Sequence, residues 1–417
     1  MIKEGTTIKL FNLLKILWLV FILIIIFWKG VIPGSKKVNT DFNNYYTASK
    51  LVLEGEPIHQ FYNNDWFYKQ AQNLGIKSGA KFSPFPPITA YAYIPLTIWK
   101  PLQAKKIWLI LNVLLLIILP FRVKQITTWP IINTILFISL FSIPIISCLV
   151  SGQIYLVIAF ILLEVFGQVY MKNKPLLISL FIGITSSVKY VPILFLGYII
   201  QKKNKYKIIF YTLSVIGISI LILFLIDNKA YSSFFQHFQS HIQGDLPGQG
   251  KYAINYQSID SILNNLFVYH KTQNLNPFIN YSALKPIIKY SFFTGIASIL
   301  FILFKKNKFK ATPIFVSLCL ISIFILLPAT ASYHFLLLLF PLLIIFKWLN
   351  NFKSKTPISV VSLLSLITFS IQTHHIPNLS NFFTINLLLH YPRFWILLCL
   401  FLVLSHYFNN HLSKNYG

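Results

Sequence analysis

The sequence predicts an all-α polytopic membrane protein, and three observations carry that reading. Of 417 residues 56% are hydrophobic and 17% aromatic, mean hydropathy is +0.67, and apolar runs recur along the whole chain. That apolar content exceeds what soluble domains carry.

The first run, Leu13 to Ile32, is nearly unbroken. At about 1.5 Å per residue it is long enough for a hydrocarbon core of about 30 Å. Lys3, Lys9 and Lys15 lead into it like the charged start of a signal peptide, but no A-x-A-like site follows. It reads as an uncleaved first span with its N-terminus in the cytoplasm.

Further runs at 104–121, 126–149, 153–171, 175–188, 190–201, 208–226, 286–304, 311–329, 335–347, 356–372 and 392–408 predict about twelve crossings in all. The Lys groups RVK at 122, KNK at 172, KKNKYK at 202, KKNKFK at 305 and KWLNNFKSK at 347 fall on one side if residues 86–99 do not cross, as the positive-inside rule asks. FPPITAYAYIPLTIW is then a half-depth or interfacial helix. The runs 175–188 and 190–201 are short for full spans, which suggests helices that stop inside a protein-lined cavity. The chain 1–417 reads as one integral membrane domain. Two long extracytoplasmic connections, 33–103 and 227–285, and a shorter one at 373–391 complete it, and connections of that length usually carry function.

Composition also excludes. The formal charge is +27, yet 34 of 36 basic residues are Lys in small groups and Arg occurs only at 122 and 393. Nucleic-acid readers favour Arg on a continuous basic face, whereas Lys beside spans fits the cytoplasmic bias and anionic lipid headgroups. Cys148, Cys319 and Cys399 lie inside apolar runs without metal-ligand spacing. No P-loop, GxGxxG, GxSxG or CxxC occurs, so nucleotide hydrolysis, dinucleotide redox and serine hydrolase chemistry have no support and no cofactor is implied.

Because acids are scarce, candidate general bases can be enumerated: Glu4, Asp41, Glu54, Glu56, Asp65, Glu164, Asp227, Asp245 and Asp260. Asp41 stands out. It follows the first span and precedes NNYYTASKLVLEG, whose apolar and aromatic spacing suits an amphipathic interfacial helix. Two readings are open: Asp41 caps that helix, or its carboxylate is a base. Glu164, within an apolar run, is either neutral or paired.

Lys189 in SSVKYVP is either a phosphate-binding cation or a lysine snorkelling to the interface. His334 in PATASYHF is either a donor to a phosphate oxygen or a packing aromatic. Tyr45, Tyr46, Gln153 of GQIY and Gln257 of NYQS are candidates for lining a substrate cavity. His237 and His241, four apart, share a helix face but lack the companions of a metal site, so no metal is expected.

In this order the pieces DFNNYYTASKLVLEGEPIHQFY, FSPFPPITAYAYIPL, AKKIWLILN, SGQIYLVIAFILL, SVKYVPILFLGYII, NYQSIDSIL and ASYHFLLLLFPLL resemble glycosyltransferase family 87, of the GT-C fold. The resemblance spans most of residues 39–345. It departs in having DF rather than an acid pair, and NYQS where an NQS-like element would stand. It implies an inverting transferase that moves a sugar, typically mannose, from a polyprenyl-phosphate sugar donor to a hydroxyl of a lipid-linked glycan or glycolipid acceptor. The enzyme would sit in the cytoplasmic (inner) membrane with its active site facing outward. Asp41 takes the place of the general base, and Lys189 and His334 match positions near the donor phosphate. A lipid-linked sugar flippase or transporter is the alternative from another class, with Glu164 as its one mid-membrane acid. An outer-leaflet glycan polymerase or ligase would be expected to carry Arg-rich loops.

Overall fold

The apolar runs fold into helices of very unequal length. The computed structural model describes residues 4–37, 40–77, 80–171, 174–242, 251–254, 256–370 and 389–416. Its α-helices are, in order, α1 (Glu4–Ile26), α2 (Ile32–Lys36), α3 (Phe42–Leu53), α4 (Asn64–Asn73), α5 (Pro101–Thr127), α6 (Ile131–Ser139), α7 (Ser142–Ser151), α8 (Tyr155–Met171) and α9 (Pro175–Val188). They continue with α10 (Lys205–Ile226), α11 (Ala230–Ile242), α12 (Ile259–Phe267), α13 (Leu284–Lys306), α14 (Pro313–Leu326), α15 (Leu339–Leu349), α16 (Thr356–Ser370) and α17 (Pro392–Tyr416). No strand pairs with another among the described residues beyond an isolated bridge, His270 to Asn274.

Of the about twelve crossings expected, length and composition support six. Six helices among the described residues are long and apolar enough to cross a membrane: Leu13–Lys36, Pro101–Thr127, Lys205–Ile226, Leu284–Lys306, Ser332–Leu349 and Pro392–Leu412. The run 126–149 is a broken pair, α6 and α7, bent by 67°, which makes seven if the pair is one span. The run 175–188 forms the 14-residue α9, about 21 Å long, and 190–201 tightens into a 3-10 helix, Val191–Ile199. The lipid-facing character of the long helices shows in exposed side chains such as Phe21, Ile118, Leu225 and Phe301, a surface water would not tolerate.

The stretch 86–99 is not among the helices long and apolar enough to cross. It folds as two five-residue 3-10 turns, Pro87–Tyr91 and Ile94–Ile98, each about 10 Å long. The piece after Asp41 is also unlike an interfacial helix. In α3 nine of twelve residues are buried, Phe42 to Ser49 and Leu51, so it lacks the wet face such a helix presents.

By packing, the chain gathers into two units. The first comprises Met1–Pro192 and Phe210–Phe234, the second Ile193–Ile209 and Phe235–Gly417. In the first, α1 passes through a π turn, Phe27–Val31, into α2, and both lie on α7. Arg122 of α5 forks onto both carboxylate oxygens of Glu164 on α8, so that acid is paired. Asp227, at the end of α10, accepts the His59 backbone N–H at 2.7 Å and pairs with its ring at 3.0 Å. In the second unit, Asp260 of α12 is pinned to α13 by Lys289 at 2.9 Å and Lys285 at 3.7 Å.

Candidate active site

Asp41 stands at the head of α3, and its carboxylate caps nothing. Its backbone is already helical (φ −59°, ψ −20°) and no side-chain cap bond forms. Instead Oδ2 accepts a hydrogen bond from Gln153 Nε2 at 2.8 Å. Asp41 is half-buried, and among the described residues no hydrogen bond reaches its Oδ1.

Gln153 comes from the turn between α7 and α8. Gly152 ends α7 in the left-handed region (φ +67°), which glycine adopts without strain. The N–H groups of Gly152 and Gln153 both reach the Cys148 carbonyl, at 2.9 and 3.2 Å. The Cys148 thiol in turn donates to the Gln153 carbonyl at 3.2 Å. At the other end of the Gln153 side chain, Oε1 accepts from the Tyr45 hydroxyl. Tyr45 is itself clamped, stacked on Phe85 at 5.0 Å and on Tyr93 at 4.7 Å between ring centroids. Tyr93 continues to Trp108 of α5 at 4.6 Å.

Lys189 follows the last residue of α9, and that end is held where Thr89 Oγ1 donates to the Val188 carbonyl at 2.7 Å. The residue is 4% exposed. Its ammonium lies over the Phe85 ring at 3.5 Å, with Tyr45 at 5.2 Å and Tyr155 at 5.4 Å. Among the described residues it makes no hydrogen bond. Ring faces attract a cation, yet buried ammonium groups are ordinarily met by acceptors, so this one is under-supplied.

Asp41 is within Coulombic reach of three lysines, Lys81, Lys105 and Lys189. Lys81 hangs from a backbone N–H that donates to Asn44 Oδ1 at 2.9 Å. Burial pushes its ammonium down to about 8, while the Asp41 charge works the other way. Lys105, 1% exposed, donates to the Val150 carbonyl at 2.9 Å and to the Lys37 carbonyl, tying the ends of α2 and α7 together. Sequence reasoning missed Lys81, Lys105 and Phe85. Phe85 lay within a quoted segment, but nothing in FSPFPP marks which ring covers the cation.

The remaining candidates have other surroundings. Tyr46 is buried and donates to the Trp99 carbonyl at 2.9 Å, so it fastens α3 to the second 3-10 turn. In the second unit Gln257 is buried with its amide consumed by backbone. Nε2 donates to the carbonyls of Ile254 (2.7 Å) and His390 (2.9 Å), and Oε1 accepts from Arg393 N (3.2 Å). It is a brace to the head of α17 rather than a cavity wall. His334 lies in the 3-10 helix Ser332–Leu338, where Nδ1 accepts from Ala331 N at 3.0 Å. The neutral ring therefore carries its proton on Nε2. Arg393, 2% exposed, donates to Ser332 Oγ at 2.8 Å and the Thr368 carbonyl at 3.2 Å. His237 and His241 lie on α11, and no group of three metal-ligating residues gathers among the described residues.

No curated protein and no solved structure matches the chain significantly. The family comparison does: its match takes in Phe85, Gln153, Lys189 and Gln257 and leaves Asp41 and His334 outside its two ends. The model of glycosyltransferase family 87 matches residues 84–327, more than half of the chain, which therefore belongs to that family as a multi-pass membrane glycosyltransferase.

Proposed function

We propose that the protein is an inverting, GT-C-type transferase that moves a sugar, mannose in the first instance, from a polyprenyl phosphate to a hydroxyl of a lipid-linked glycan or glycolipid. On the orientation set by the Lys groups, the reaction takes place on the extracytoplasmic side of the cytoplasmic membrane. The observation that carries this reading is the pairing of a half-exposed carboxylate, one oxygen held by Gln153 and the other open, with a buried ammonium that lacks an acceptor.

The acceptor hydroxyl is a weak nucleophile. As its oxygen bonds to the anomeric carbon, its proton passes to Asp41 Oδ1, a contribution of roughly 10² to 10⁴ in rate. The bond from that carbon to the phosphate oxygen breaks, and its electron pair leaves with the polyprenyl phosphate. Lys189 stabilises that growing charge in a site with little water, and Lys81 adds to the positive field. His334 keeps its candidacy on chemistry alone, since an Nε2–H can donate to a phosphate oxygen. A covalent intermediate would need a second close carboxylate, and Glu164, Asp227 and Asp260 are each engaged by a basic side chain elsewhere, so a single displacement is simpler.

The flippase reading loses its residue, because Glu164 is engaged by Arg122. The test is Asp41→Asn. In membranes holding normal amounts of the variant, transfer of radiolabelled mannose from polyprenyl-phosphate mannose to membrane lipid should vanish, and wild-type transfer would sink the mechanism.

A further inference from the structure

We propose that Gln153 is a positioning residue for the Asp41 carboxylate, with Tyr45 deciding which end of the Gln153 amide faces the acid; this rests on the reading of Asp41 as the base. Three features support the assignment. The backbone of Gln153 is fixed by its exchange with Cys148, in which two N–H groups and a thiol close the end of α7. The side chain bridges Tyr45 and Asp41 and is 3% exposed. The partners are also chemically ordered. A carboxylate offers acceptors alone, whereas a phenol hydroxyl can donate. With Tyr45 donating to Oε1, only the NH₂ end is left for Asp41. A flipped amide would set Oε1 against Oδ2, acceptor to acceptor.

The consequence is directional. Anchoring Oδ2 fixes the rotation of the carboxylate about its last bond and leaves Oδ1 as the oxygen that takes a proton. Tyr45 cannot drift, since its ring is held between Phe85 and Tyr93. Neither residue touches the transferred sugar in this scheme.

The experiment separates kcat from KM for mannosyl transfer from polyprenyl-phosphate mannose in membranes carrying the full chain. Gln153→Ala should lower kcat about 10- to 100-fold with little change in KM. Tyr45→Phe keeps the ring stack and should lower kcat by less, again with KM near wild type. Introduced into Gln153→Ala, it should add nothing, because its effect passes through the missing amide. An unchanged kcat in Gln153→Ala, a loss carried by KM instead, or losses that multiply in the double variant, would overturn the inference while leaving Asp41 essential. If Gln153→Ala does not accumulate, Tyr45→Phe decides alone, and an unchanged kcat there is fatal. Activity in Asp41→Asn would instead remove the base itself, so the two failures are told apart.

Discussion

A β-carbon built on Gly152 would stand 2.7 Å from the Phe42 β-carbon, so the turn that presents Gln153 and the residue after Asp41 meet without room for a methyl group. Gly152→Ala therefore combines left-handed backbone strain, about 1–3 kcal/mol, with a push on the head of α3. Thermal unfolding in detergent should show the stability loss, and transfer should fall at least about tenfold. Gly55→Ala is the control. Gly55 has φ +81° with nothing within 4 Å of the added carbon, so it should lower the melting temperature yet leave kcat near wild type.

Lys105→Met keeps the volume of the side chain and removes its ammonium from the carbonyls of Lys37 and Val150. Buried acceptors left unmet cost about 1–3 kcal/mol each. Because Val150 is three residues before Gln153, transfer should decline along with stability. Retention of full activity with unchanged melting would show that the tether is dispensable.

The Lys81 ammonium loses its proton near pH 8 in the folded protein, against an ordinary value of 10.5, because burial disfavours its charge. The unfolded chain thus binds more protons between those two values, and through this group stability should rise with pH across that window. Donor binding should run the other way. KM for the anionic donor should increase as pH passes 8, and Lys81→Met should have a higher KM at pH 7 that no longer changes across the window. A wild-type KM that is flat from pH 7 to 9 would exclude the role.

The pair Arg122–Glu164 holds α5 to α8 and is expected to matter for stability only. Both side chains are partly exposed, 33% and 21%, so Glu164→Gln should cost on the order of 1 kcal/mol. The double variant with Arg122→Gln should be less damaged than the two singles combined. Transfer per folded molecule should be unchanged, whereas a transport protein relying on that carboxylate would be inactivated.

What was readable in the sequence follows from what each signal depends on. Asp41 was conspicuous because acids are rare and because it borders a span, both local facts. Whether it capped α3 was not readable, since a cap and an uncapped acid share the same letters. Only the bond from Gln153, 112 residues away, separates them. Hydropathy marked 126–149 as one run because Leu140 and Phe141, at the break between α6 and α7, are as apolar as their neighbours. A 67° bend leaves no trace in that measure. Apolar and aromatic spacing likewise could not reveal that most of α3 is buried, because Asn44 and Ser49, two of its polar residues, find partners in the distant segment from Lys81 to Tyr93.

The pieces of the site are also separated in time. A ribosome adding about 5–20 residues per second reaches Lys189, 148 residues after Asp41, roughly 7–30 s later. During synthesis the carboxylate is made first, the amide that steadies it second, and the cation in its cage of rings last. The site therefore matures in stages, and a nascent chain halted before α9 carries the acid and its amide but not the buried ammonium of Lys189.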